Sequence, residues 1–188
     1  MPSTLPNLDQ LQLVHELNRL FLIYLQIRVR AEADCLGLPE LARPILRRAS
    51  SDLIAAVAEF PRALFDLKID EGAAQVRDPL RGRDDARHSL CLTIVHCAWT
   101  LSRQSVYHAR LLLALETRAI QRLRAMQLGD LQNVAQGREL VQCAFAGRDW
   151  LWAELLADPR PEARQQLALI ALQPGLPGDW PARRVTRA

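Results

Sequence analysis

His88, Cys91, His96 and Cys97 fall within ten residues and form the densest set of metal-capable and nucleophilic groups in the chain. Zinc would take them as nitrogen and sulfur ligands, but structural zinc sites draw their ligands from CxxC-type knuckles at turns, and none occurs here. On a helix His88 and Cys91 share a face, whereas Cys97 lies six residues past Cys91 and points elsewhere. The set therefore reads as core thiols with a packed histidine, and neither metal nor cofactor is implied. Nucleophilic catalysis needs a Ser or Cys held by a base and an orienting group. No GxSxG, HExxH or Gly-rich phosphate loop is present. The acidic pairs Asp70-Glu71 and Asp84-Asp85 sit in a polar stretch and read as solvated surface, so an enzyme is not expected.

Arginine offers a different chemistry. Of 24 basic residues only Lys68 is a lysine, and guanidinium forks suit bidentate contacts to phosphate and carboxylate. Arg43, Arg47 and Arg48 run to the end of a short helical segment, and Arg81 and Arg83 lie in a polar loop. They read either as backbone contacts to DNA beside a helix-turn-helix or as charges that stabilise a negative helix end. Residues 1–100 hold 12 basic and 13 acidic side chains and residues 101–188 hold 12 and 8. That bias permits nucleic-acid binding without demanding it. Arg183, Arg184 and Arg187 read as a basic arm or a solvated terminus. Trp150 and Trp152 flank Leu151 and read as an interface anchor or as core.

The elements that must position these groups are helical. Apolar residues from Leu11 to Ile27 recur at helical spacing within a long helix over residues 9–34, which Gly37 would close with a positive φ. A helix of that length suggests packing against a partner helix. A short helix follows over residues 40–49, with Pro44 as a complication inside it. Ser50 or Ser51 caps the next helix, which stops near Pro61, and residues 63–69 read as one short extended segment. Residues 70–86 are a polar loop. A second long helical pattern starts near Asp84, is broken around Ser102–Ser105, and gives way to shorter helices and a last one from Pro159 to Leu172. The fold class is all-α. The expected organisation is a helical domain over 9–103, a second helical region over 104–172 and a Pro/Gly/Arg tail over 173–188. With no secretory leader and no apolar stretch near the roughly 20 residues that a membrane helix needs, a cytoplasmic protein with reduced thiols is expected.

The chain also suggests an internal echo. Leu53–Ala58 resembles Leu140–Phe145, and Ala63-Leu64-Phe65 resembles Trp150-Leu151-Trp152. Leu36-Gly37 resembles Leu128-Gly129. A real duplication would let the second copy cover the surface that a second subunit covers in a homodimer.

The order of elements, with Leu36, Gly37, Glu40, Leu46, Ala58, Glu59, Leu67, Lys68 and Asp70 followed by Arg83, Asp85 and Ile94, resembles the FlhD family of flagellar transcriptional regulators over about residues 11–103. The resemblance implies a helical protein that dimerises through its long first helix and joins a zinc-carrying FlhC-like partner in a hetero-oligomer on promoter DNA. It assigns DNA and partner contacts to the region corresponding to residues 82–96, where Arg83 would meet phosphate and Ile94 the partner. Gly82, Asp84, Cys91, Leu92 and His96 depart from the family pattern, and Asp84 beside Arg83 would repel phosphate. The DNA-facing set is then Arg43, Arg47, Arg48, Arg81 and Arg83, and the partner-facing set is Leu20, Tyr24, Leu90, Ile94, Trp150 and Trp152, in a chain expected to be homo-oligomeric. The other function consistent with the sequence is an adaptor or anti-activator on the same scaffold, without DNA contact.

Overall fold

A computed structural model of the 188-residue chain describes residues 6–69, 85–137, 139–158 and 160–172. The first helix, α1 (Leu8–Arg30), starts at a reciprocal cap. The Gln10 amide donates to Asn7 Oδ1 at 2.8 Å and the Asn7 amide donates to Gln10 Oε1 at 3.2 Å. Val14, Leu17, Asn18, Phe21, Leu22, Leu25, Gln26 and Val29 fall on its buried face, a stripe of three- and four-residue steps.

Two members of that stripe are amides, and they hold backbone. Asn18 Nδ2 faces the carbonyls of Ala58, Phe60 and Arg62 at 3.0–3.2 Å, while its Oδ1 accepts from the Leu64 amide at 2.8 Å. Gln26 Nε2 donates to the carbonyls of Leu46 and Ala49 at 3.0 and 2.8 Å. In this way α1 pins the turns at both ends of α3 (Ser51–Ala58), whose cap is Ser50.

The helix ends earlier than the sequence suggested. Ala33 N donates to Arg28 O and Glu32 N to Val29 O, the paired bonds of a Schellman close. The left-handed residue is Glu32, at φ 53°, and Gly37 takes its own positive φ (78°) further on. A side chain with a Cβ is strained in that region. Glu32→Gly should therefore raise stability by about 0.5 kcal/mol after loss of the long, exposed 3.4 Å contact to Arg47. A urea midpoint unchanged or lowered by the substitution would contradict this. Pro44 is no obstacle either: α2 spans only Arg43–Arg48, which puts Pro44 in its first turn, where no backbone bond is lost.

After β1 (Phe65–Leu67) and the intervening chain come α4 (Asp85–Gln104), α5 (Val106–Leu113), α6 (Thr117–Ala125) and α7 (Leu128–Val134). Then follow β2 (Val141–Cys143), α8 (Asp149–Ala157) and α9 (Pro161–Leu172). The expected all-α class holds: 68% of the described residues are helical, and among them there is one two-stranded sheet. Ser105 caps α5 and breaks the second long pattern where the sequence placed the break.

The second set of elements repeats the first. α2 and α3 pack on α1 as α6 and α7 pack on α4, and α1 packs on α4. Leu38, Leu46, Val57 and Ala58 are matched by Leu115, Leu123, Val134 and Ala135 at one constant spacing along the chain, and all eight are buried. β1 and β2 pair antiparallel about the Asp66–Gln142 position. On either side the bonds mirror each other: Lys68 N donates to Leu140 O at 2.8 Å and Ala144 N to Leu64 O at 3.0 Å. The sets are thus related by a pseudo-two-fold axis through the sheet.

This pairing differs from the echo read in the sequence. Residues 53–58 are helix, whereas their supposed counterparts at 141–143 are strand, and Phe65 is strand where Trp150 and Trp152 are helix. Residue identity misled there, since Leu-Gly pairs recur in unrelated settings. The second set also begins at α4, before residue 104, so the expected boundary does not separate two cores. One continuous apolar cluster runs from Val14 to Ala171 across both sets. α8 continues past β2 and packs back on α2 and α3 of the first set, and α9 packs on α8.

Candidate interaction surface

Arg43, Arg47 and Arg48 are brought together. With Val29, Glu32, Ala33, Cys35, Glu40 and Pro44 they line a cavity of about 490 Å³ beside the end of α1. The guanidinium groups of Arg43 and Arg47 are engaged locally. Arg43 pairs with Glu40 at 2.6 Å and donates through Nε to Leu38 O, while Arg47 donates to Val29 O at 3.0 Å and reaches Glu32 at 3.4 Å. Arg47 thus caps the last turn of α1, Arg43 holds the turn that follows, and the row also presents a basic ridge. Arg81 and Arg83, with Gly82 and Asp84, lie outside the described residues.

A second cavity of about 500 Å³ opens between β1 and the α5–α6 corner, lined by Asp66, Lys68, Glu116, Arg118 and Arg122 among others. Arg122 donates to Ile69 O at 2.9 Å. Burial pushes the Asp66 carboxyl above its ordinary value, against the pull of Arg62 and Lys68. Burial likewise lowers Arg62, which lies 5.4 Å from the Phe145 ring centroid. Both cavities set arginines among carboxylates, so each offers mixed polar contacts rather than a pure cation surface.

Most of the residues assigned to a partner are core. Leu90 and Ile94 face inward from α4, Tyr24 is buried on α1, and Trp152 is fully enclosed with its Nε1 donating to Ala144 O at 2.8 Å. Trp150 is half-buried against the same cluster. Tyr24, Leu90, Ile94 and Trp152 are enclosed and cannot dock a partner in this fold, because each already fills a gap between helices. Leu20 is the exception and stands exposed, joined by Ile23 and Ile27. Their spacing of three and four on a helix already counted as apolar was the available signal, masked because the whole of α1 is rich in Leu and Ile.

The His88–Cys97 set is dispersed around α4. Cys91 is buried, Cys97 partly so, and His96 is exposed with its ring centroid 5.9 Å from that of Trp99. Among the described residues no three His, Cys, Asp or Glu side chains converge as a metal site. Burial raises the Cys97 thiol and pushes Cys143 well above the usual thiol value, which keeps both protonated and slow to react. Among the described residues no helix is long and apolar enough to cross a membrane.

A titratable cluster joins the C-terminal helix to the first set. Arg164 on α9 is buried and pairs with Glu59 at 3.2 Å, and His15 Nε2 is buried without a hydrogen-bond partner. Burial lowers the His15 pKa from 6.5, Glu59 opposes this, Arg164 adds to it and Glu16 opposes. A depressed histidine favours the fold when neutral. Its contribution is present above pH 6.5 and is lost as pH falls through the folded-state value. His15→Gln should flatten the fall in melting temperature between about pH 7.5 and pH 5.5. An unchanged slope would show that His15 does not titrate with unfolding.

No family model matches this chain, and neither a curated protein nor a solved structure does.

Proposed function

We propose that the chain is a subunit of a DNA-directed regulatory assembly in the cytoplasm: an FlhD-like regulator of flagellar genes that works with an FlhC-like partner. The observation that carries this reading is the α2 arginine ridge, Arg43, Arg47 and Arg48, presented beside a doubled helical platform. Two related sets, α1-α2-α3-β1 and α4-α6-α7-β2 with α5 inserted in the second, give a single chain the form that a dimer of one-copy subunits would otherwise supply. Arginine ridges of this kind hold phosphate by counterion release rather than by reading bases. A second reading, a protein-binding adaptor without DNA contact, is favoured by Glu32 and Glu40, which sit in the same cavity and offset the ridge.

The test is a promoter-binding assay on the chain co-expressed with an FlhC-like partner across a salt series. The regulatory reading expects a shifted promoter whose affinity falls steeply with salt. Arg48→Ala and Arg47→Ala should each lower the salt slope by about one. A partner complex that leaves promoter DNA unshifted at low salt selects the adaptor. Failure to form any complex rejects both.

A further inference from the structure

The two related sets differ most around the cavity between β1 and the α5–α6 corner. At the spacing that matches Leu38 with Leu115, Gly37 falls on Ala114, and both take a positive φ, 78° and 54°. Leu41 and Ile45 then fall on Arg118 and Arg122, which share a face of α6 one turn apart. The chain that leaves β2 enters α8, which packs on α2 and α3. Among the described residues no helix covers α6 and α7 in that way. One set thus places aliphatic side chains at these positions and lays a helix over its pair. The other keeps a cavity of about 500 Å³ and puts guanidinium groups on its wall.

That wall carries two kinds of polar group. Lys68, Arg118 and Arg122 supply cationic donors from two elements, and Arg122 is steadied by its bond to Ile69 O at 2.9 Å. A lone carboxylate is met by one guanidinium fork, whereas donors on several side chains suit the several oxygens of a phosphate. Asp66 and Glu116 line the same cavity. Carboxylates repel phosphate and accept from hydroxyls, so they belong to a different part of the same ligand. Burial holds Asp66 toward its neutral form, which lessens that repulsion. Among the described residues no aromatic ring lines the cavity, so no platform for a nucleobase is built. We propose that this cavity binds a phosphorylated polyol of sugar-phosphate size, with Lys68, Arg118 and Arg122 on the phosphate and Asp66 and Glu116 on hydroxyl groups. The site shares no residue with the α2 ridge and stands apart from the regulatory reading.

Isothermal titration calorimetry on the full chain tests this with glycerol 3-phosphate, ribose 5-phosphate and glucose 6-phosphate, beside glucose, AMP and inorganic phosphate. At least one of the first three should bind with a Kd below about 1 mM, and about tenfold more tightly than any of the last three. Arg118→Glu and Lys68→Ala, each checked for unchanged helicity, should weaken that ligand about tenfold or more. Glu116→Ala should narrow its advantage over inorganic phosphate, because a hydroxyl contact is lost while a repulsive charge goes with it. Arg48→Glu on α2 should leave its binding unchanged. Three phosphorylated polyols that all fail to bind, AMP or inorganic phosphate binding as tightly as they do, or a loss in Arg48→Glu as large as that in Arg118→Glu would each overturn the proposal.

Discussion

Replacing Asn18 with Ala should destabilise the protein by about 3–5 kcal/mol, a large part of the roughly 5–15 kcal/mol that holds a domain folded. Asn18 is fully enclosed, and its two amide hydrogens are shared among the carbonyls of Ala58, Phe60 and Arg62 while its oxygen takes the Leu64 amide. Removing the side chain orphans several buried backbone groups at once, at about 1–3 kcal/mol each before relaxation. Two further variants separate this from simple packing. Asn18→Leu keeps the volume and orphans the same groups, so it should fall nearly as far as Ala. Asn18→Asp keeps the shape but turns a carboxylate oxygen toward three carbonyls, and should fall furthest. Urea denaturation of the three measures this; Asn18→Leu within about 1 kcal/mol of the parent would show that the turn finds its bonds elsewhere.

Trp152→Ala should cost about 3–5 kcal/mol. The indole is completely buried, and α8 carries it from the end of the second set onto α2 and α3 of the first. Trp152→Phe keeps most of the apolar contact but strands Ala144 O, which now accepts from Nε1 at 2.8 Å. A loss of about 1–2 kcal/mol is expected for it. Because one core spans both sets, thermal unfolding of Trp152→Ala should remain a single transition at lower temperature. If helices of the first set melted unchanged while others melted early, α8 would be an appendage rather than a brace.

The sequence was legible where local chemistry decides the outcome. A serine cap before α3, the break around Ser102–Ser105, the short extended segment read over 63–69 and found at 65–67, and the helical character of the rest follow from capping and periodicity. It was misleading where tertiary context overrides local preference. Glu32, not Gly37, takes the left-handed position after α1, because the chain must turn there whatever residue is present. Val141–Cys143 is strand because Val141 and Cys143 are buried with Gln142 between them, a three-residue alternation too short to tell from helix. Asn18 and Gln26 were within reach: each interrupts an apolar stripe, and a buried amide at such a place has backbone to satisfy. The interface assignments failed for the opposite reason. Leu90, Ile94, Tyr24 and Trp152 look equally suited to a core or a contact until their helices are packed.

The interleaving of two sets about the β1–β2 pair is tested most directly by native-state hydrogen exchange at two amides. Lys68 donates to Leu140 from the first set and Ala144 donates to Leu64 from the second. Both should exchange only through global unfolding, with matching free energies and the same denaturant dependence. An Ala144 amide that exchanges through a separate, lower-energy opening while Lys68 stays protected would mean that the halves fold independently, and the shared core would not exist.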